Sequence, residues 1–279
     1  MTTRFRHIST SIGLALSVTS ILLPPASAAV PATAQTPAPA QTPLAATDDL
    51  TFQGLDVIWY QAPEVLQNAT RFIRVGNPST DGGCDFAGSM LAPRQPVATM
   101  ERELAFDPPT CRSLMEVGAI AVDEPNGAAT PLAAAAAEFA NSNVTTSHSY
   151  FRDPPGLHTS DVFNTIGWTP DGSCAAPVGT NPTMDKRYEK LWQTGWSLED
   201  NDFQQSADCG SVRSSSFAHF RNGIFCAAVF FPPFAIFPTH TRYDRNTVEG
   251  YADGTAGYFY NWSKSGGCSR LLAFRHVIE

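Results

Sequence analysis

The sequence predicts a mainly β protein, an antiparallel sandwich or barrel with short helical insertions, stabilised by disulfide bonds. Three observations lead to this prediction. Short runs are rich in β-branched and aromatic residues, turn signals separate them at close intervals, and an even number of cysteines follows an export signal. No internal repeat recurs at a fixed period, which disfavours propellers and solenoids.

The first half of the chain contains predicted strands that end at proline or glycine turns. These strands are residues 55–61, 69–75, 100–106, 111–117 and 162–168. The sequence Asp107-Pro108-Pro109 must turn between the third and fourth strands, and Asp171-Gly172 turns after the fifth. Residues 123–143 are rich in alanine, and we interpret them as a short helix within a long surface connection.

Residues 185–198 form the one predicted helix with side chains suited to binding. On a helix, Tyr188, Trp192 and Trp196 share one face, because they lie four residues apart. Such a row could stack on sugar rings, so these three are the predicted ligand-binding residues. The other interpretation is that the rings form the side of the helix that packs on the sheet.

The last third of the chain predicts an antiparallel meander. Residues 215–221 and 224–230 flank Asn222-Gly223, a dipeptide typical of a type I′ hairpin. Further turn signals delimit the strands 239–243, 247–251, 255–262 and 269–278. The phenylalanine-rich residues 224–237 predict a buried strand that leads into a covered loop. If those rings are exposed instead, they mark a binding edge.

The N-terminus has the three parts of a secretory signal. Arg4 and Arg6 precede an apolar run over residues 12–23, and Ala26-Ser27-Ala28 matches a cleavage site. The run is too short to span a bilayer. We therefore expect a signal peptide over residues 1–28, a disordered Ala/Pro/Thr-rich linker over 29–47 and a single β-rich domain over 48–279. The mature protein is expected to be secreted, with no stable membrane anchor.

All the cysteines lie in the expected mature domain, which predicts a disulfide framework and not a thiol active site. They are Cys84, Cys111, Cys174, Cys209, Cys226 and Cys268. Many pairings are possible. The pair 84–111 is preferred because it closes the loop that contains residues 100–106, and 174–209 and 226–268 are the next choices.

Charge and motifs exclude several functions. The chain carries 18 basic and 26 acidic residues, a formal net charge of −8, and an acidic surface repels nucleic-acid phosphates. The sequence has no G-x-S-x-G elbow, no H-E-x-x-H or C-x-x-C motif, and no phosphate or dinucleotide loop. We therefore assign no catalytic residue, metal ligand or cofactor. Nucleic acid is not an expected partner.

Two short patterns come nearest to metal sites. His158 and Asp161 form the nearest short pair, and the acidic residues 199–208 invite comparison with a calcium loop. Read from Asp200, that loop has Gln205 in place of glycine and Ser211 in place of glutamate, so a solvated acidic loop is favoured. A cleft that brings His148, His158, His219 or His240 to a carboxylate would support an enzyme.

Several motifs together resemble a group of uncharacterised exported proteins of Gram-positive bacteria. The motifs are MERELAFDPPTC at 100–111, MEVG at 115–118, DPPGL at 153–157, DGSC at 171–174, NGIFC at 222–226, GYADG at 250–254 and LLAF at 271–274. The resemblance covers residues 52–279 and implies export, but it transfers no activity and no catalytic residue. Pro232-Pro233 and the phenylalanines around them depart from the pattern.

These observations lead to one expected function and one alternative. We expect a non-catalytic binding protein that recognises a glycan or another protein at the cell surface or in the medium. The alternative is an extracellular hydrolase whose histidine and carboxylate residues are not marked by any motif.

Overall fold

The protein is a sandwich of two antiparallel β-sheets, as the sequence predicts. The computed structural model describes residues 56–92, 97–120, 142–191, 194–225 and 237–279. Within these ranges the sheets do not close into a barrel, and the only helical turns are the 3₁₀ turns Pro108–Thr110 and Ser269–Leu271. None of these turns has the length and apolar character required to cross a membrane. The expected signal peptide and linker lie outside the described residues.

In the part of the chain that the structure describes, the first sheet, sheet A, contains nine strands. Its main order is β10-β8-β7-β15-β5-β6-β2, with β1 paired to β5 and β9 paired to β8. The bounds are β1 Ile58–Trp59, β2 Leu66–Val75, β5 Thr99–Asp107, β6 Arg112–Ile120, β7 Asn143–Arg152, β8 His158–Pro170, β9 Ala175–Pro177, β10 Thr183–Lys190 and β15 Ala273–Ile278.

The second sheet, sheet B, has six strands within the described ranges, in the order β11-β12-β13-β14-β4-β3. The bounds are β3 Asn77–Pro78, β4 Cys84–Ala92, β11 Trp196–Ala207, β12 Ser211–Asn222, β13 Thr239–Tyr251 and β14 Ala256–Gly266. Strand β12 shows why the sheet has an inner and an outer face: its even-numbered residues are buried and its odd-numbered residues are partly or fully exposed.

Large aromatic rings fill the space between the sheets. Trp262 of sheet B stacks on Phe274 of sheet A with ring centroids 3.9 Å apart and planes tilted by only 5°. Trp168 lies so close to β13 that a Cβ at Gly250 would come within 2.4 Å of its ring. Glycine is therefore required at position 250, because any side chain would displace the indole.

A seam of polar side chains crosses the core beside these rings. The side-chain oxygen of Asn246 on β13 accepts hydrogen bonds from the hydroxyls of Ser147 and Ser149 on β7, at 2.7 and 3.1 Å. Its amide nitrogen donates to the carbonyls of Ser147 and Val162. All four bonding positions of this buried amide are satisfied, so Asn246 links the two sheets without an unpaired polar atom of its own.

The seam includes an ion pair with no solvent contact. Lys264 Nζ on β14 lies 2.7 Å from a carboxylate oxygen of Glu103 on β5, and both side chains are 0% exposed. The ammonium also donates to the Tyr60 hydroxyl and the Leu272 carbonyl, while Glu103 accepts from the Phe274 amide. Both charges are thus fully hydrogen-bonded, which a buried ion pair requires if it is to be tolerated.

His276 is buried in the same seam. Its ring stacks on Tyr260 at 3.7 Å, and Glu101 lies opposite it in the strand register. Because Ser149 donates its proton to Asn246, we assign the Nδ1–H of His276 as the donor to Ser149, which leaves Nε2 unprotonated. Burial lowers the pKa of His276 well below its ordinary value, and the charges of His148 and Arg74 add to this effect.

Disulfide bonds join the two sheets. Cys84 on β4 pairs with Cys111, which precedes β6, and Cys174 between β8 and β9 pairs with Cys209 between β11 and β12. Both pairs were predicted, and they indicate an oxidising environment. Cys268 is also disulfide-bonded. Its expected partner, Cys226, lies outside the described residues.

The prediction of a helix over residues 185–198 was wrong. Thr183–Lys190 is strand β10, and Trp196–Ala207 is strand β11. Spacings of four and eight residues place side chains on one face of a strand as well as on one face of a helix, so the aromatic spacing did not distinguish the two. β10 pairs with β8 and β11 pairs with β12, and these ladders determine the outcome.

Two predicted turns were also wrong. Gly223 does not have the positive φ of a type I′ turn, because the side chain of Asn222 instead accepts from the amides of Ile224 and Phe225. The predicted turn at 244–246 is a bulge inside the continuous strand β13.

The turn at Asp253-Gly254 is confirmed. The predicted helix within 123–143 and most of the predicted strand 224–230 lie outside the described residues.

Breaking the buried ion pair should destabilise the protein strongly. Lys264→Met leaves the Glu103 carboxylate buried without its cation, and we expect the free energy of unfolding to fall by about 3–5 kcal/mol. Urea unfolding followed by tryptophan fluorescence measures the change. Arg221→Met, which removes the exposed partner of Glu199, is the control and should cost less than about 1 kcal/mol. Similar losses for both variants would contradict this expectation.

Stability should decline as the pH falls below about 6.5, where the histidines of the unfolded chain take up protons. His276 contributes because its folded-state pKa lies below that of the unfolded state, so its contribution is present above this pH and lost below it. His276→Phe should reduce the slope of unfolding free energy against pH between 6.5 and 5. Some dependence of the unfolding free energy on pH should remain in this variant, because the pKa values of His148 and His219 are also lowered. An unchanged slope in His276→Phe would refute the assignment.

Peptide mapping of the oxidised protein should recover two cross-linked pairs, Cys84 with Cys111 and Cys174 with Cys209. A third peptide should link Cys226 to Cys268. Digestion without reductant at low pH, followed by mass spectrometry, tests all three. If any of these four cysteines were recovered with a different partner, the packing of the two sheets would be contradicted, because each of the two bonds joins one sheet to the other.

Candidate metal centre

The outer face of sheet A carries a compact cluster of histidine and aspartate. Alternation along β7 points Ser147, Ser149 and Phe151 into the core and leaves His148 and Tyr150 on the outer face. On β8, which pairs with β7, Asp161 lies directly opposite Tyr150 and Phe163 lies opposite His148. His158 stands at the start of β8. Three potential metal ligands therefore come from two neighbouring strands.

The ligand atoms of this cluster converge on one point. His148 Nε2 lies 2.9 Å from Oδ1 of Asp161, and His158 Nδ1 lies 3.0 Å from the same oxygen. All three atoms lie within 4.8 Å of one another. Both imidazoles donate N–H hydrogen bonds to the carboxylate, so one aspartate oxygen is shared by two histidines.

Aromatic rings hold both imidazoles in place. His148 is stacked between Phe163 at 3.7 Å and Tyr150 at 4.6 Å, and the ring of His158 stacks on Tyr150 at 4.1 Å. Asp161 is 4% exposed, whereas the His158 side chain is 46% exposed. The cluster thus has a buried, rigid side and a side that opens to solvent.

Burial and hydrogen bonding shift the protonation of the cluster. Burial lowers the pKa of His148, and the Asp161 carboxylate opposes this only in part. Burial also raises the pKa of Asp161, but the hydrogen bonds from His148 and His158 outweigh it and the pKa lies below its ordinary value. A neutral imidazole beside an ionised carboxylate has the protonation that metal binding requires.

The distances suit a small transition-metal ion. Two imidazole nitrogens and one carboxylate oxygen are a ligand set that zinc and its neighbours prefer. Bonds of 2.0–2.1 Å in a tetrahedron place ligand atoms about 3.3 Å apart. The 2.9 and 3.0 Å separations would therefore need to widen by only a few tenths of an ångström as the two N–H protons leave.

A second cluster lies on the outer face of sheet B. His219 Nε2 is 3.0 Å from His240 Nδ1, and His219 Nδ1 is 3.6 Å from Glu199. Two arginines flank it: Arg221 lies 3.4 Å from Glu199, and Arg242 lies opposite His219 in the register of β12 and β13. Glu199 is thus already paired with Arg221, whereas one oxygen of Asp161 accepts from both histidines of the other cluster, so the cluster on sheet A is the better metal site.

The predicted ligand-binding residues do not form the expected row. Trp196 is 5% exposed and packs in the core against Phe225. Tyr188 is half-buried, and its hydroxyl donates to the Asp202 carbonyl of sheet B. Trp192 lies outside the described residues. That these residues bind a glycan stays a prediction, but it has lost the helical face on which it was argued.

Comparison with known proteins adds no further guide to function. Neither the protein-family models, nor the curated proteins, nor the solved structures contain a match to this chain. The resemblance to exported proteins of Gram-positive bacteria therefore stays a prediction. The arguments that follow rest on the geometry of the site alone.

The sequence pointed to two of the three candidate ligands. His158 and Asp161 stand out by their spacing, but His148 belongs to a different strand. Residues 145–149 are all polar, so the sequence shows no alternation that would indicate which way His148 points. Its position opposite Phe163 depends on the β7–β8 register, which no local pattern specifies.

Proposed function

We propose that this is an exported protein that binds a divalent transition-metal ion, with zinc as the best-fitting candidate. His148, His158 and Asp161 would be its ligands. The observation that carries the proposal is the convergence of two imidazole nitrogens on one oxygen of a buried aspartate, at 2.9 and 3.0 Å. The proposal keeps the binding role expected from the sequence and replaces a glycan or protein partner with a metal ion.

The surroundings of the cluster support the proposal. Oxygen-seeking ions such as magnesium and calcium avoid imidazole, so the two histidines favour a transition metal. Stacking against Phe163 and Tyr150 fixes the histidine rings before the ion arrives, which lowers the ordering cost of binding. Disulfide bonds that join the sheets support a protein that works outside the cell.

Isothermal titration of the chelator-stripped protein with zinc chloride tests the proposal. The expected result is saturable binding of zinc that calcium and magnesium do not compete away. Asp161→Asn keeps the size of the side chain but removes the charge, and His148→Ala removes one ligand. Each should weaken zinc binding by at least about 100-fold, more than the loss of an outer-shell partner usually costs.

The second cluster supplies the matched control. His240→Ala removes a histidine of similar exposure from sheet B, and zinc binding at the sheet A site should stay within about twofold of the unaltered protein. Near-UV circular dichroism establishes that each variant is folded. Absence of zinc binding by the unaltered chain, or equal affinity in folded Asp161→Asn and His148→Ala, would overturn the proposal.

A further inference from the structure

Strand β10 adds two charged side chains to the metal centre. It pairs with β8, so that Glu189 lies directly opposite Asp161 and Arg187 lies directly opposite Phe163. Residues opposite each other in an antiparallel pair project from the same face, with Cβ atoms about 4.5–5.5 Å apart. Glu189 and Arg187 therefore stand on the outer face of sheet A beside the three proposed ligands.

The three ligands leave room for water on the ion. A tetrahedral zinc ion with three protein ligands keeps a fourth position, and this arrangement is typical of catalytic and not of structural zinc sites. His158 is the half-exposed member of the set, so a water in the fourth position would enter from the solvent side. Water bound to zinc has its pKa lowered to about 7, which makes hydroxide available near neutral pH.

Glu189 is placed to receive the proton of that water. Its carboxylate is half-exposed and accepts a hydrogen bond from Arg187 at 3.0 Å. A general base must come within hydrogen-bond reach of the water, either directly or through one further water. Because Glu189 lies opposite Asp161 on the same face of the sheet, we assign it this role.

Arg187 is placed to hold an anionic group. Its guanidinium lies 4.4 Å above the ring of Phe163, whose opposite neighbour is His148. Nε bonds Asp185 and Nη1 bonds Glu189, so among the described contacts Nη2 remains for a ligand. An arginine held in this way recognises carboxylate or phosphate oxygens.

We propose, on the basis of the metal site proposed above, that this centre hydrolyses small esters that carry a negatively charged group. The ion that His148, His158 and Asp161 would hold supplies the Lewis acidity that makes a water molecule at the site a good nucleophile near neutral pH. Glu189 would take a proton from this water, and the oxygen of that water would attack the carbonyl carbon or the phosphorus of the ester. The bond from that atom to the alcohol oxygen breaks, and the departing alcohol oxygen receives the proton from Glu189. One water is consumed, an acid and an alcohol are formed, and no oxidant or reductant is required.

Three chromogenic esters distinguish the substrate classes. The zinc-loaded protein is assayed with 4-nitrophenyl phosphate, mono-4-nitrophenyl succinate and 4-nitrophenyl acetate, against a blank of zinc with Asp161→Asn protein. Hydrolysis of the phosphate identifies a phosphoester site, and hydrolysis of the succinate identifies a carboxylate-bearing ester. We expect at least one anionic ester to be cleaved more than about tenfold faster than the acetate.

Variants of β10 test the two assigned roles. Glu189→Gln should lower kcat by about 100-fold or more while zinc affinity changes less than about threefold. Arg187→Gln should raise KM for the anionic ester and leave the acetate rate unchanged. Glu249→Gln on the outer face of sheet B and Lys186→Gln, whose ammonium lies over Phe203, are the matched controls and should retain full activity.

The outcomes separate this inference from the proposed function. If zinc binds but none of the esters is cleaved above the blank, the hydrolytic inference is overturned and the metal site stands. Full activity in Glu189→Gln would overturn the role of Glu189 in the same way. If zinc does not bind to the unaltered protein, both proposals fail together.

Discussion

The structure depends on polar contacts that cross the core between the two sheets. A sandwich sealed only by aromatic rings could slide, because ring stacking tolerates small shifts along the strands. The ion pair of Lys264 and Glu103 and the fully bonded amide of Asn246 do not tolerate such shifts. A one-residue slip would leave charges and amides unpaired in a water-free interior, at a cost of several kcal/mol for each charge. The seam therefore sets the register of β7, β8 and β13. This register determines which side chains meet on the outer faces.

The fixed register also fixes the positions of the side chains on the outer face of sheet A. His148 is adjacent in sequence to Ser147 and Ser149, which donate hydrogen bonds to Asn246 in the core. These bonds hold the backbone of β7, so the His148 side chain is kept on the outer face. Asp161 is likewise flanked by Ser160 and Val162, which face sheet B. A metal site built on such strands needs little reorganisation, because the inner face holds the backbone and the aromatic stacking holds the side chains.

The sequence was informative about features that depend on residues close together in the chain. Runs of β-branched and aromatic residues, turn signals and the cysteine count predicted a β-sandwich or barrel, and two predicted disulfide pairs are confirmed. It misled where two periodicities agree, since Tyr188, Trp192 and Trp196 recur at a spacing that suits both a helix and a strand. It could not reveal that His148 meets Asp161 or that Glu189 faces it, because both contacts depend on the registers of separate strands.

Strand β15 is the last described strand in the chain, yet it lies in the middle of sheet A, bonded to β7 on one side and β5 on the other. Sheet A is therefore split into two unconnected halves until residues 273–278 have been synthesised. Completion of sheet A therefore waits for pairings between residues far apart in the chain, such as Arg275 with Arg102, and such non-local pairing slows folding.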